Sequence, residues 1–372
     1  MSRLLVRTLA DPALAERLAP AQWTALITAA RAESLLGSLA FRLEGEKLPA
    51  KVSAILEDAR RDAGYARTQA VWEAEMARRA LAETGAPVIL LKGTAFAAAG
   101  LEAGRGRSIG DLDILVPFER LDAVQAALLA SGWEWVKEDA YDDLYYRRWM
   151  HELPPLIHRE RDRMIDVHHT ILPPTARPTP DASALIAASL PLENGLRILS
   201  PEDMIVHAAA HLFADGDLAG GLRNLWDINC LVREFAARDE GFWPRLGERA
   251  ALHQLRPAVA RALRLTNRLF GTPVQVADSF VPSEVEGRTL GLSASAPRLR
   301  SGRTDGLAQK SGTALAGRRR VSDRFFEARL LARNGWGQPT RKALRFAFYL
   351  RSHWMRMPPL MLARHLWTKA TR

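Results

Sequence analysis

The run Asp111-Leu112-Asp113-Ile114-Leu115-Val116 leaves a chain few ways to fold. It reads as a strand, in which alternate residues share a face, so Leu112 and Ile114 enter a core while Asp111 and Asp113 look out together on the other side. Two carboxylates a few ångströms apart repel unless a cation lies between them. The chain therefore needs a sheet sealed by helices on one face and open to a metal on the other. Oxygen ligands of this kind suit Mg²⁺ or Mn²⁺, and Mg²⁺ is commonly held by carboxylates together with substrate phosphates. Asp166, in Met164-Ile165-Asp166-Val167-His168, alternates in the same way on another strand and is a candidate third ligand.

The surrounding chain divides into five stretches. Residues 1–85 read as helices, with apolar residues at three- and four-residue spacing (Trp23, Leu26, Ile27, Ala30). Residues 86–170 hold the strands: Val88–Leu91 after a Gly85-Ala86-Pro87 breaker, then a helix from Ala95 to Leu101, the Asp111–Val116 strand, a helix from Pro117 to Ala130, a strand at Trp133–Val136, and a hairpin of His151–His158 with Arg163–His168. Pro154-Pro155 must lie at an edge or bulge, because proline cannot donate to a ladder. Residues 171–281 turn helical. Ser200 is placed as an N-cap ahead of Pro201 and the acidic Glu202 and Asp203, with further helices over Gly221–Ala237 and His253–Phe270. Residues 282–320 are rich in Gly, Ser and Arg and lack any aromatic residue, the composition of a disordered insertion. Residues 321–372 resume as a basic, aromatic helical segment. The fold class expected is α+β: a small mixed sheet flanked by N- and C-terminal helical regions.

Charge is unevenly spread. Residues 1–286 hold 33 Lys+Arg against 39 Asp+Glu, whereas residues 328–372 hold 10 against none, so the net +10 belongs to the end of the chain. A mildly acidic catalytic region speaks against a nucleic-acid partner. The tail, 341–372, suits either contact with an anionic membrane or nucleic acid, or a helix pair packed on the core with a basic outer face; packing is the favoured reading. The lone cysteine, Cys230, is read as a buried core thiol and fits a reducing cytoplasm. The opening residues lack a signal-peptide run, and no stretch is long and apolar enough to span a membrane. The expected location is cytoplasmic, with peripheral membrane contact only if the tail provides it.

Four features together resemble the nucleotidyltransferases of the DNA polymerase β type, and within them the bacterial uncharacterised nucleotidyltransferase family. They are Leu91-Lys92-Gly93, Arg107-Ser108-Ile109-Gly110 leading into Asp111-x-Asp113, Ile165-Asp166-Val167-His168, and a helical region carrying Ser200-Pro201-Glu202-Asp203 and Leu225-Trp226-Asp227-Ile228. The resemblance covers residues 15–270. It implies transfer of a nucleoside monophosphate, with AMP from ATP as the favoured case, to a hydroxyl on an acceptor that it does not identify. It assigns Asp111, Asp113 and Asp166 to the catalytic metal ions and Asp166 to the nucleophile side. It also implies nucleotide contacts by Lys92, Gly93, Thr94 and Arg107, against which stands the plainer reading of Lys92 and Arg107 as solvated charges. Where the superfamily carries Gly-Gly or Gly-Ser this chain has Gly93-Thr94, whose hydroxyl and N–H groups at a helix start still suit an anion.

Three histidines need separate weighing. His168 shares the face of Asp166 and either orients that carboxylate or is an ordinary edge-strand histidine. His207 and His211, four apart on a helix, could pair on a metal but lack a third ligand, and a packed helix face accounts for them better. Two alternatives to a transferase stand: a catalytically silent nucleotide-binding or scaffold protein engaging a protein or membrane, and an enzyme acting on nucleic-acid ends.

Overall fold

The structure is a computed structural model that describes residues 2–137, 146, 149–214, 218, 220–275, 321–334 and 336–356. The stretch 282–320, read above as an insertion, lies outside these residues, as does the last part of the tail.

Seven strands form one mixed sheet: β1 (Ile89–Leu90), β2 (Leu112–Leu115), β3 (Trp133–Trp135), β4 (Leu156–His158), β5 (Met164–His168), β6 (Leu190–Pro191) and β7 (Arg197–Ile198), in the order β3-β4-β5-β2-β1-β7-β6. β2 runs parallel to β5 and antiparallel to β1; β1 runs parallel to β7. The centre of the sheet is fully buried at Ile89, Leu90, Ile114 and Leu115. This confirms the expected α+β class. The sheet is wider than the sequence pattern indicated, because β6 and β7 lie past residue 170 and are only two residues long, too short to show any periodicity.

The N-terminal helices are α1 (Ser2–Ala10), α2 (Pro20–Ala32), α3 (Leu36–Arg42) and α4 (Ala50–Leu81). The buried side of α4 includes the small residues Ala59, Ala63, Ala70, Ala74 and Ala77, which let neighbouring backbones come close, with larger Val52, Leu56, Glu73 and Leu81 beside them. It packs against α3, α5 (Lys92–Ala98) and α6 (Leu121–Ala130). After α7 (Ala182–Ala187), the second helical group is α8 (Pro201–Ala214), α9 (Gly221–Arg238), α10 (Phe242–Leu252), α11 (Arg256–Phe270) and α12 (Val321–Leu330). Ser200 caps α8 as expected, its Oγ accepting the Asp203 N–H at 3.2 Å.

Several boundaries differ from the sequence reading. α5 starts at Lys92, three residues early, so Lys92-Gly93-Thr94 is a helical first turn and not a loop. Regular pairing in β4 begins only at Leu156, since Pro154-Pro155 interrupt the ladder and leave Glu152 opposite His168 as an isolated bridge. The helix read as His253–Phe270 starts at Arg256, after a break at His253–Leu255 where Gln254 takes a positive φ of 58°; the preceding helix α10 carried no clear sequence signal.

In the C-terminal segment, α13 (Lys342–Arg356) packs on α8. Phe348 is buried edge-on against Phe326, ring centres 4.8 Å apart, and Arg351 donates to the Phe213 carbonyl at 2.8 Å. Its basic residues therefore sit on a helix anchored to the body. Cys230 is buried, as expected, and burial pushes its thiol up to about 12. Among the described residues, no helix is long and apolar enough to cross a membrane.

The loop that leads to β2 is held by a close backbone contact. Gly106 has φ +72°, and a Cβ there would lie 2.4 Å from the carbonyl carbon of Gly37 in α3. Gly106→Ala combines a left-handed conformation with a backbone clash, and should cost on the order of 2–3 kcal/mol. Chemical denaturation checks this, and a cost below ~0.5 kcal/mol would show that the loop can move away from α3.

Candidate active site

The parallel pairing of β2 with β5 places Asp113 directly across from Asp166, and Ile114 across from Val167. Because side chains alternate, the apolar partners seal the core and the two aspartates share the other face. Asp111 stands just before β2, exposed, on the same side. Carboxylate oxygens of Asp111, Asp113 and Asp166 all lie within 4.8 Å of one another. They line a cavity of about 410 Å³ with Lys92, Arg107 and His168 on its wall.

The three carboxylates sit in unequal surroundings. Asp113 is buried, which alone would raise its pKa. The His168 Nε2 hydrogen bond at 3.0 Å and the Lys92 Nζ ion pair at 2.6 Å, both on Oδ1, outweigh burial and hold the carboxyl well below its usual range. Among the described residues, Asp166 gains no such partner. Burial first, then the charges of Asp113 and Glu152, push its carboxyl up to about 7. A cation among these oxygens would relieve that cost, and an all-oxygen donor set fits Mg²⁺ or Mn²⁺.

The raised Asp166 carboxyl has a pH consequence. The folded chain holds a proton there up to about pH 7, whereas the unfolded chain releases it near 3.8. Below 3.8 the group is protonated in both states and makes no difference. Between the two values the folded state binds more protons, so this group's contribution to stability falls as pH rises. Metal-free melts from pH 4 to 8 should show that loss, Mg²⁺ should offset it at the upper end, and Asp166→Asn should flatten it. An unchanged slope in Asp166→Asn would show that Asp166 is not the group responsible.

Lys92 reaches Asp113 from a backbone in the left-handed region, φ 48°, an uncommon conformation for a residue with a long side chain. Such strain persists where the surroundings fix it, here the strand-to-helix turn and the ion pair. Gly93 lines the cavity, and a Cβ on it would lie 2.4 Å from Arg107 Nε, so glycine makes room for Arg107 to cross α5. Thr94 is buried at 1% exposure and does not contribute to the cavity wall, a direct result of the helix starting at Lys92. The geometry thus gives no support to a nucleotide contact through its hydroxyl. Arg107 is not a solvated charge: its guanidinium pairs with buried Asp227 on α9.

His168 binds Asp113, not Asp166. His207 and His211 do face the cavity from α8. Burial drives the His207 imidazole pKa well below normal, so it stands there neutral. Neither belongs to a metal-ligating cluster among the described residues. Sequence reasoning missed His151 and Glu152, whose Oε2 comes within 3.4 Å of His168 Nδ1. Their approach depends on the isolated bridge beyond Pro154-Pro155, and no local pattern marks it.

Compared with known protein families, the chain matches the family described as "Uncharacterised nucleotidyltransferase" over residues 19–271, more than half its length. A comparison with curated proteins gave no match.

Proposed function

We propose that this chain, which belongs to the uncharacterised nucleotidyltransferase family and is a nucleotidyltransferase enzyme, moves AMP from ATP to a hydroxyl of an acceptor. The observation that carries this reading is the gathering of Asp111, Asp113 and Asp166 on one sheet face beside a cavity. In the transfer, the acceptor oxygen bonds to the α-phosphorus as the bond to the β-phosphate oxygen breaks, and pyrophosphate leaves. Asp111, Asp113 and Asp166 would hold Mg²⁺ or Mn²⁺. When bound, the metal lowers the pKa of the acceptor hydroxyl and offsets negative charge on the α-phosphate and pyrophosphate.

The protein's own groups do the rest. Asp166, on the nucleophile side of the three aspartates, would take the acceptor's proton as the new bond forms. Asp113 is kept ionised and oriented by His168 and Lys92. Lys92, in the cavity wall, can turn from Asp113 to a phosphate oxygen. Arg107, pinned by Asp227, presents fixed positive charge at the same wall, where its planar donors suit paired phosphate oxygens. Helices flank the sheet core, and the acidic balance of residues 1–286 argues for a small-molecule or protein acceptor over nucleic acid.

The test is to incubate the protein with Mg²⁺ or Mn²⁺, a cell extract, and ATP labelled at either the α- or the γ-phosphate. Label from the α-position alone should enter a product. Label entering only from the γ-position, or from neither position with any of the common nucleoside triphosphates, would overturn the proposal.

A further inference from the structure

We infer that His151, Glu152 and His168 form a second cation site, for a zinc-type ion, beside the three aspartates. One donor atom from each lies within 4.8 Å of the others. Glu152 Oε2 is 3.4 Å from His168 Nδ1 and 3.8 Å from His151 Nε2. Ligands bonded at ~2.0–2.1 Å to a tetrahedral ion stand roughly 3.3 Å apart, so Glu152 is within about half an ångström of that spacing from each histidine, and the two imidazole nitrogens, within 4.8 Å of each other, need to approach by at most about 1.5 Å.

His168 supplies the independent pointer. It is 2% exposed, and its Nδ1 is sealed from solvent without a hydrogen-bond partner. Its other nitrogen, Nε2, is 3.0 Å from Asp113 Oδ1. Nδ1 faces the Glu152 carboxylate, whose Oε2 is 3.4 Å away, and a cation between the two would satisfy this buried nitrogen. Carboxylate, imidazole and metal in sequence is a recurrent arrangement, in which the carboxylate fixes the tautomer and strengthens the ligand.

The backbone holds the ligands in place. Glu152 bridges to His168, the His169 N–H donates to the His151 carbonyl at 2.9 Å, and the Leu153 N–H donates to the Val167 carbonyl at 2.9 Å. The segment carrying two ligands is thereby fastened to β5, which carries the third. Two imidazoles and one carboxylate suit zinc better than magnesium, whereas the all-oxygen aspartate cluster has the opposite preference. Three protein ligands leave a tetrahedral ion one further position, and all three side chains line the cavity. The ion's role on this geometry is to position Asp113 through His168 and to fasten the 149–153 segment to the sheet.

The full chain, stripped with a chelator, would be equilibrated with Zn²⁺ in excess Mg²⁺, desalted, and its metal counted by mass spectrometry. About one zinc per chain is expected. His151→Gln and Glu152→Gln should each weaken zinc binding by ~10–100-fold, while Asp166→Asn retains it. Circular dichroism under chelator shows whether each variant folds. If neither does, the visible spectrum of Co²⁺-loaded wild type decides: intense bands indicate the expected four-coordinate ion, and a pale six-coordinate spectrum overturns the assignment. It is also overturned if wild type retains no zinc. Zinc held equally by His151→Gln and Glu152→Gln, or lost in Asp166→Asn, would overturn it as well.

Discussion

Asp227→Asn should destabilise the protein by about 3–5 kcal/mol, the range for stripping one partner from a buried ion pair. Asp227, at 2% exposure, receives the Arg223 Nε at 3.0 Å and the guanidinium of Arg107. Arg223 is itself buried and also donates to Ser38 Oγ at 2.7 Å, so one carboxylate joins α9, the start of α3 and the loop before β2. Burial already lowers the Arg223 pKa despite Asp227, which shows how poorly water solvates this guanidinium. Asparagine keeps the size and one acceptor but leaves two arginines without a countercharge. Combining Asp227→Asn with Arg223→Met should cost less than the sum of the single changes, because the stranded charge is removed as well. Urea denaturation measures both. A loss below ~1 kcal/mol for Asp227→Asn would mean that solvent reaches the network.

The second large effect is on turnover. Asp166→Asn should lower the rate of nucleotidyl transfer on the order of 10³-fold, since loss of metal-assisted charge stabilisation is worth several kcal/mol and each ~1.4 kcal/mol is tenfold in rate. Stability should move the other way. At pH 8 the wild-type carboxylate is ionised against burial and against Asp113, a cost that asparagine does not incur, so the metal-free variant should melt at the same temperature or higher. Slow transfer in a well-folded variant separates a chemical role from a structural one. A variant that transfers at the wild-type rate would remove Asp166 from the chemistry.

Much of this arrangement was visible in the sequence because period-two alternation determines which face a strand residue occupies. Alternation puts Asp111 and Asp113 on one face and gives Asp166 a face of its own strand; that the three meet is what the family resemblance implies, and the β2–β5 register puts Asp113 beside Asp166. The Ser200 cap was equally legible, since capping is settled within a few residues. What escaped depends on contacts distant in sequence or on geometry without a residue code. Arg107 and Asp227 are 120 residues apart, so nothing local distinguishes a buried pair from two surface charges. Lys92 carries no sign of its positive φ, and helical propensity could not tell that α5 begins before Gly93. His151 and Glu152 follow a stretch without clear periodicity, and only the pairing with β5 turns them toward His168.

The three aspartates must share a divalent ion for this chemistry, and Mn²⁺ reports such binding directly through its electron spin resonance. Wild type, Asp113→Asn and Asp166→Asn would be titrated with Mn²⁺ in the presence of a non-hydrolysable ATP analogue and one equivalent of Zn²⁺ per chain, enough to fill the imidazole site without competing for the aspartates. Wild type should bind Mn²⁺, and each variant should bind it at least ~10-fold more weakly while still folded. Equal Mn²⁺ binding by all three proteins, or none by wild type, would contradict the account.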